Sequence, residues 1–199
     1  MKILMFSGGL DSTYLAWKLL SEAEDRVHLH HVSIRTSIES GWKKQDVIVK
    51  QIVDYLKQCN FVFDYSESRF DLFNQKYIGW DTDVALLAGQ KIAINCSDKY
   101  IEIVLGWNPF DLTRDCVADR NNRLVSQNIW KALVESAHNR KYINSNIQFP
   151  LVKQNINKDR MFKELPQELI DLSWSCRSGD DTPCGWCHSC KEREFYRGE

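Results

Sequence analysis

A short apolar run at residues 2–6 passes directly into Ser7-Gly8-Gly9-Leu10-Asp11-Ser12, after which Tyr14, Leu15, Leu19 and Leu20 recur at helical spacing. No other stretch restricts the fold so strongly. A strand, a glycine turn and an amphipathic helix in that order form the opening unit of an α/β sheet, because each buries its apolar side against the other. The glycines bring successive backbone N–H groups towards an anion, and the helix that follows adds the positive end of its dipole. Ser7 and Ser12 add hydroxyl donors. Asp11 would repel a bare phosphate, but it makes sense where Mg2+ bridges its carboxylate to a pyrophosphate. The loop therefore predicts a metal–nucleotide complex. It is not a Walker A loop, which ends in Gly-Lys and then Ser or Thr. An ordinary turn in which Ser7 caps the helix would use the same residues, but the flanking strand and helix favour phosphate binding.

Short apolar runs alternate with helical patterns along the rest of the chain. Strands are expected at 2–6, 27–34, 61–65, 101–105 and 147–152. Helices are expected at 11–24, 45–58, 83–97 and 124–137, with Val49, Ile52, Val53 and Leu56 on one face of the second. Asn157 is placed to cap a further helix starting at Lys158. This alternation predicts an open, mostly parallel five-stranded α/β sheet with helices on both faces, Rossmann-like, over residues 1–172, and a small cysteine-rich tail over 173–199. The polar stretch 110–122 lies beyond a strand end, where open α/β sheets bind ligands. Asp111, Arg114 and Asp115 could read the edge of a guanine-like base there, with Trp107 or Phe110 as a stacking wall; a surface loop with local ion pairs fits the same residues.

Cys176, Cys184, Cys187 and Cys190 present four thiols at the close spacing of a closed, tetrahedral structural zinc site, with Gly185 easing the turn and His188 left solvated. The other three cysteines, Cys59, Cys96 and Cys116, are scattered, and Cys116 is expected as a buried thiol. An odd cysteine count without a secretory signal argues for metal or buried thiols rather than disulfides, and for a cytoplasmic protein. No run approaches the length of a membrane span. Across 199 residues, 26 Lys and Arg balance 27 Asp and Glu, so the formal charge of −1 leaves no basic footprint for nucleic acid.

The SGGLDS loop resembles the PP-loop motif of the ATP pyrophosphatase (adenine nucleotide α-hydrolase-like) superfamily. That resemblance implies cleavage of ATP between its α and β phosphates, with Phe6, Ser7, Gly8, Gly9, Leu10, Asp11, Ser12 and Thr13 around the nucleotide. Trp174-Ser175-Cys176, the following cysteines with Glu192-Arg193, and Phe149-Pro150-Leu151 ahead of Asn157-Lys158 resemble the 7-cyano-7-deazaguanine synthases within it. Membership would imply adenylation of 7-carboxy-7-deazaguanine, amide formation with ammonia, and ATP-driven dehydration to the nitrile. It would also imply Asp11 and Lys158 as catalytic residues, ATP with Mg2+ as co-substrate, structural Zn2+, and a homodimer. The middle of the chain departs from the family. Ile34-Arg35-Thr36-Ser37-Ile38 stands where a Tyr-Gly-Gln-containing segment is usual, Gly79-Trp80-Asp81-Thr82-Asp83 replaces Val-Pro-x-Arg-Asn, Thr113-Arg114-Asp115-Cys116-Val117 replaces Tyr-Pro-Asp-Cys-Arg, and Arg177 replaces a Tyr. Three alternatives stay open: a variant that stops at the amide or acts on a related deazapurine in nucleic-acid modification or defence, a tRNA-modifying PP-loop enzyme, and an inactive binding module.

Overall fold

The computed structural model describes residues 1–22, 24–37, 41–73, 81–109, 111, 128, 132, 144–176, 178 and 181–197. Its described strands are β1 (Lys2–Met5), β2 (Val27–Arg35), β3 (Asp64–Asp71), β4 (Tyr100–Val104) and β5 (Asn144–Gln148). They form one sheet in the order β3-β2-β1-β4-β5, with every pair parallel. The helices, labelled here in chain order, are α1 (Leu10–Glu22), α2 (Trp42–Gln58), α3 (Asp81–Asn95), α4 (Pro150–Lys153), α5 (Lys158–Glu164), α6 (Gln167–Leu172) and α7 (His188–Arg197).

Side chains alternate across β1. Leu4 and Phe6 join a core with Val27 and Leu29 of β2, Tyr14, Leu15 and Leu19 of α1, and Ile48, Val49, Ile52, Val53 and Leu56 of α2. Ile3 and Met5 point the other way, into a second core with Ile101 and Ile103 of β4 and Leu86, Ala88 and Ala93 of α3. Helices therefore cover both faces, as expected for buried parallel strands. Each fully buried Leu or Ile in these cores contributes about 1.5–3 kcal/mol relative to an exposed one. Leu151, Met161, Leu169, Ile170, Trp174 and Cys176 complete the first core, so the segment leading into the cysteines is packed into the sheet domain. No helix among the described residues is long and apolar enough to cross a membrane.

Three elements differ from the sequence pattern. The third strand covers Asp64–Asp71 instead of 61–65, and Val62 in the apolar run before it is exposed. It is an edge strand with Glu67, Arg69 and Asp71 exposed, and charges on an edge discourage pairing with other chains. The fifth strand is Asn144–Gln148, because Pro150 sits at the first position of α4, where its fixed φ and missing N–H are tolerated. Helix α2 begins at Trp42, whose ring lies under the Arg35 guanidinium at 4.7 Å. The helix expected at 124–137 and most of the 110–122 loop lie outside the described residues.

On the α3 side, Ser66 of β3 bridges two imidazoles, His28 Nε2 at 2.6 Å and His30 Nδ1 at 2.7 Å. Burial, aided by the neighbouring His28 and His31, pushes the His30 pKa down from 6.5 to about 4. A depressed imidazole pKa means that the unfolded chain takes up the proton first. Its contribution to stability is therefore complete above about pH 6.5 and is lost as the pH falls towards 4. Denaturant titrations at about pH 7 and about pH 4.5 should show the protein losing on the order of 2–3 kcal/mol through this residue. His30→Phe should flatten the slope by a similar amount; an unchanged slope would exclude His30 as its source.

Candidate active site

The strand order reverses at β1, whose neighbours are β2 on one side and β4 on the other. In open α/β sheets the loops diverge at such a switch point and leave a crevice beyond the carboxyl ends of the strands. Here the two loops are residues 6–9 after β1 and 105–108 after β4. They touch: a Cβ on Gly106 would lie 3.2 Å from the Ser12 nitrogen and 3.4 Å from its Cα, so only glycine lets the second loop approach the start of α1 without displacement.

Gly8 turns the first loop with φ +73°, and a Cβ there would meet Val49 Cγ2 of α2 at 2.9 Å. The Ser7 N–H donates to Ser12 Oγ at 3.2 Å, the two hydroxyls lie 3.0 Å apart, and the Gly9 N–H donates to Ser7 Oγ at 3.3 Å. Ser12 Oγ also donates to the Gly9 carbonyl at 3.1 Å. The serines thus organise the loop among themselves, with Ser7 exposed and Gly9 partly so. Phe6 and Leu10 are core side chains and offer only backbone groups to a ligand. Thr13 is fully buried, and its hydroxyl has no hydrogen-bond partner among the described residues.

Asp11 occupies the mouth of the loop. Its carboxylate accepts from Asn108 Nδ2 at 3.0 Å. Asn108 is held in turn by Asp111, whose carboxylate accepts from the Asn108 N–H at 3.1 Å. Asp111 is thereby tied into the turn that presents Asn108. Burial pushes the Asp11 pKa up, while Lys158 and the Asn108 amide oppose the rise and the Asp111 and Glu192 charges reinforce it. Lys158, the first residue of α5, is aimed by the Asn157 cap, whose side chain accepts from the Arg160 N–H at 3.0 Å. Burial would lower the Lys158 pKa, but the Asp11 charge and an ion pair with Glu192 outweigh it and hold the ammonium above its usual range. Asp11 and Lys158, separated by most of the chain, thus share one electrostatic site. Trp107 is buried with its ring 5.2 Å from that of Phe149. Arg114, Asp115, Phe110 and Cys116 lie outside the described residues.

A carboxylate that burial disfavours, at the mouth of a glycine turn, offers oxygen ligands suited to a hard cation such as Mg2+. The four sulfurs of Cys176, Cys184, Cys187 and Cys190 lie within 4.8 Å of one another, with Cys184 and Cys190 at 3.9 Å. Four thiolates around one tetrahedral zinc, at about 2.3 Å each, are separated by about 3.8 Å. The Cys184 and Cys187 N–H groups point at the sulfurs of Cys176 and Cys184, both at 3.4 Å, as they would to stabilise thiolates. Burial and the surrounding sulfurs push the Cys190 thiol up to about 12 although the Gly185 amide lowers it. His188 opens α7 and is partly exposed, 3.4 Å from Glu192.

Several residues that build this region carry no motif. His31 reaches the Phe6 carbonyl and the Asp46 carboxylate, each at 3.0 Å, joining the loop after β1 to α2. Burial alone would raise the Asp46 pKa, but hydrogen bonds from His31, Ser33 and Arg35 lower it. Asn108 likewise lies in no motif, whereas Ser175 and Glu192 belong to segments that resemble the synthases; the tertiary fold brings all three to the loop.

The U34-tRNA thiolase NcsA from Methanococcus maripaludis, solved with its 4Fe-4S cluster, is similar to this chain with a TM-score of 0.52 and 16% identity. The match covers 98% of this chain and 64% of the thiolase, so the chain spans under two thirds of that protein's length. The likeness establishes a shared α/β fold, in agreement with the sequence expectation. No protein-family model and no curated protein matches the chain.

Gly8→Ala should destabilise the protein by about 1–3 kcal/mol, because it adds a strained left-handed backbone to the clash with Val49. Gly9→Ala, with 3.3 Å to the movable Ser7 hydroxyl, should lose less. Denaturant midpoints of the two variants check this, and equal losses would contradict it.

Proposed function

We propose that the chain is an ATP-dependent adenylating enzyme of the PP-loop type, cleaving ATP between the α and β phosphates. The observation that carries this reading is the part-buried Asp11 carboxylate, held by Asn108 and close to the Lys158 charge, at the mouth of the Gly8-Gly9 turn. Backbone amides and the α1 dipole would receive the pyrophosphate, and Lys158 would neutralise part of its growing charge. Mg2+ bound at Asp11 would supply further charge neutralisation across the phosphates. This protein's own contribution is positioning: Asn108 orients Asp11, Asp111 orients Asn108, and Glu192 restrains Lys158.

The proposed substrate is 7-carboxy-7-deazaguanine, on the strength of the resemblance of both chain ends to the synthases that act on it. A carboxylate oxygen displaces pyrophosphate from the α phosphorus, and ammonia attacks the acyl carbon as AMP leaves, giving the amide. A second ATP then takes the amide oxygen, and loss of the N–H protons and AMP gives the nitrile. The cysteine cluster would hold one structural Zn2+, supported by sulfurs close enough for a single ion. A 4Fe-4S cluster places its thiolates on separate irons and needs them farther apart. A second reading, adenylation of a tRNA base, is favoured by the fold shared with the thiolase. The formal charge of −1 weighs against it.

Incubation with 7-carboxy-7-deazaguanine, Mg-ATP and ammonia should give AMP, pyrophosphate and a product with the nitrile mass. An amide mass would identify a truncated reaction, AMP formed only with tRNA would favour the second reading, and no AMP with either would overturn both. Asp11→Asn should lower AMP formation at least ~100-fold, the scale of removing one charge-stabilising group, while leaving the fold intact by circular dichroism. Elemental analysis should find about one zinc per chain and no iron.

A further inference from the structure

The cysteine cluster and the phosphate loop are joined at two separate places. Immediately before Cys176, the Trp174 N–H donates to the Gly8 carbonyl at 2.8 Å and Ser175 Oγ accepts from the Leu10 N–H at 3.4 Å. The contact is close, since a Cβ on Gly9 would stand 3.7 Å from the Trp174 carbonyl and 3.8 Å from the Ser175 hydroxyl. Two residues after Cys190, Glu192 on α7 pairs with Lys158, the cation facing Asp11. Arg193 then ties α7 back to the segment before the cluster, donating to the Ser173 carbonyl at 2.7 Å and to that of Ile170.

Among the described residues, α7 is held by the cysteines together with Arg193, Glu192 and one ring contact. It has ten residues, too few to be stable as an isolated helix, and Lys191, Glu194 and Phe195 face solvent. Its packing on α5 includes the Phe162 and Tyr196 rings, stacked at 5.8 Å. Cys187 immediately before α7 and Cys190 within it are the residues that the cluster cross-links to Cys176, and so to the strand-like segment against the loop.

We infer that the cysteine cluster, once it holds its ion, sets the geometry of the phosphate site from both sides. Trp174 and Ser175 act as positioning residues for Gly8 and Leu10, and Glu192 as the positioning residue for Lys158. The inference rests on reading the Gly8-Gly9 loop as a nucleotide site. The effect of the ion would pass through the chain on either side of the four sulfurs.

The test compares the full-length chain loaded with Zn2+ and stripped by a chelator, reading amide hydrogen exchange over residues 6–13 with residues 45–56 as control. Stripping should raise exchange over 6–13 about tenfold, leave the control within about twofold, and be reversed by added Zn2+. Unchanged exchange over 6–13 overturns the coupling. If the stripped chain opens throughout, the zinc-loaded Ser175→Ala variant decides: faster exchange over 6–13 alone supports the brace, and none overturns it. Glu192→Gln should keep its zinc, its melting temperature and its loop protection while weakening Mg-ATP binding about tenfold, with partial recovery in Glu192→Asp. Unchanged ATP affinity in Glu192→Gln overturns the role of Glu192. A wild-type protein that binds no ATP, yet whose loop exchange follows the metal, removes the nucleotide reading and leaves the coupling standing.

Discussion

A carboxylate placed where burial disfavours its charge is the constraint around which this site is arranged. Asp11 stands in the gap between the loops after β1 and β4, a gap that exists because the strand order reverses at β1. Gly106 lets the second loop reach the start of α1, and Asn108 then delivers its amide to Asp11. Lys158 supplies one positive charge, but Asp111 and Glu192 add negative ones. Such a cluster is costly unless further positive charge balances it.

The parts visible in the sequence are those whose cause is local. The strand–glycine–helix unit, the Asn157 cap and the cysteine spacing each depend on neighbours a few residues away, and each stands where the pattern placed it. β3 was misplaced because an edge strand has one face in solvent and can carry Glu67, Arg69 and Asp71, while the apolar residues before it only lead in. The last strand stopped short because Pro150 starts a helical turn. Asn108, His31, Ser175 and Glu192 were missed as site residues for a different reason: each is an ordinary polar residue whose role exists only once β4, β2 and the tail reach the loop.

The thiolase of similar fold was solved with a 4Fe-4S cluster, and the tail here gathers four sulfurs within 4.8 Å of one another. Fold likeness at 16% identity conveys the sheet and its crevice; the reaction depends on which residues line that crevice. Here those residues are a part-buried acid, a lysine paired with a glutamate, and a loop in contact with the tail.

In the proposed reaction an acid oxygen attacks the α phosphorus of ATP beside Asp11. Carboxylate activation of this kind moves substrate oxygen into AMP, so the most direct measurement follows the label from 7-carboxy-7-deazaguanine carrying 18O in its carboxylate, using mass spectrometry of the released nucleotides. The account predicts 18O-labelled AMP together with unlabelled pyrophosphate. Release of ADP and phosphate, or AMP whose added oxygen comes from water, would contradict it.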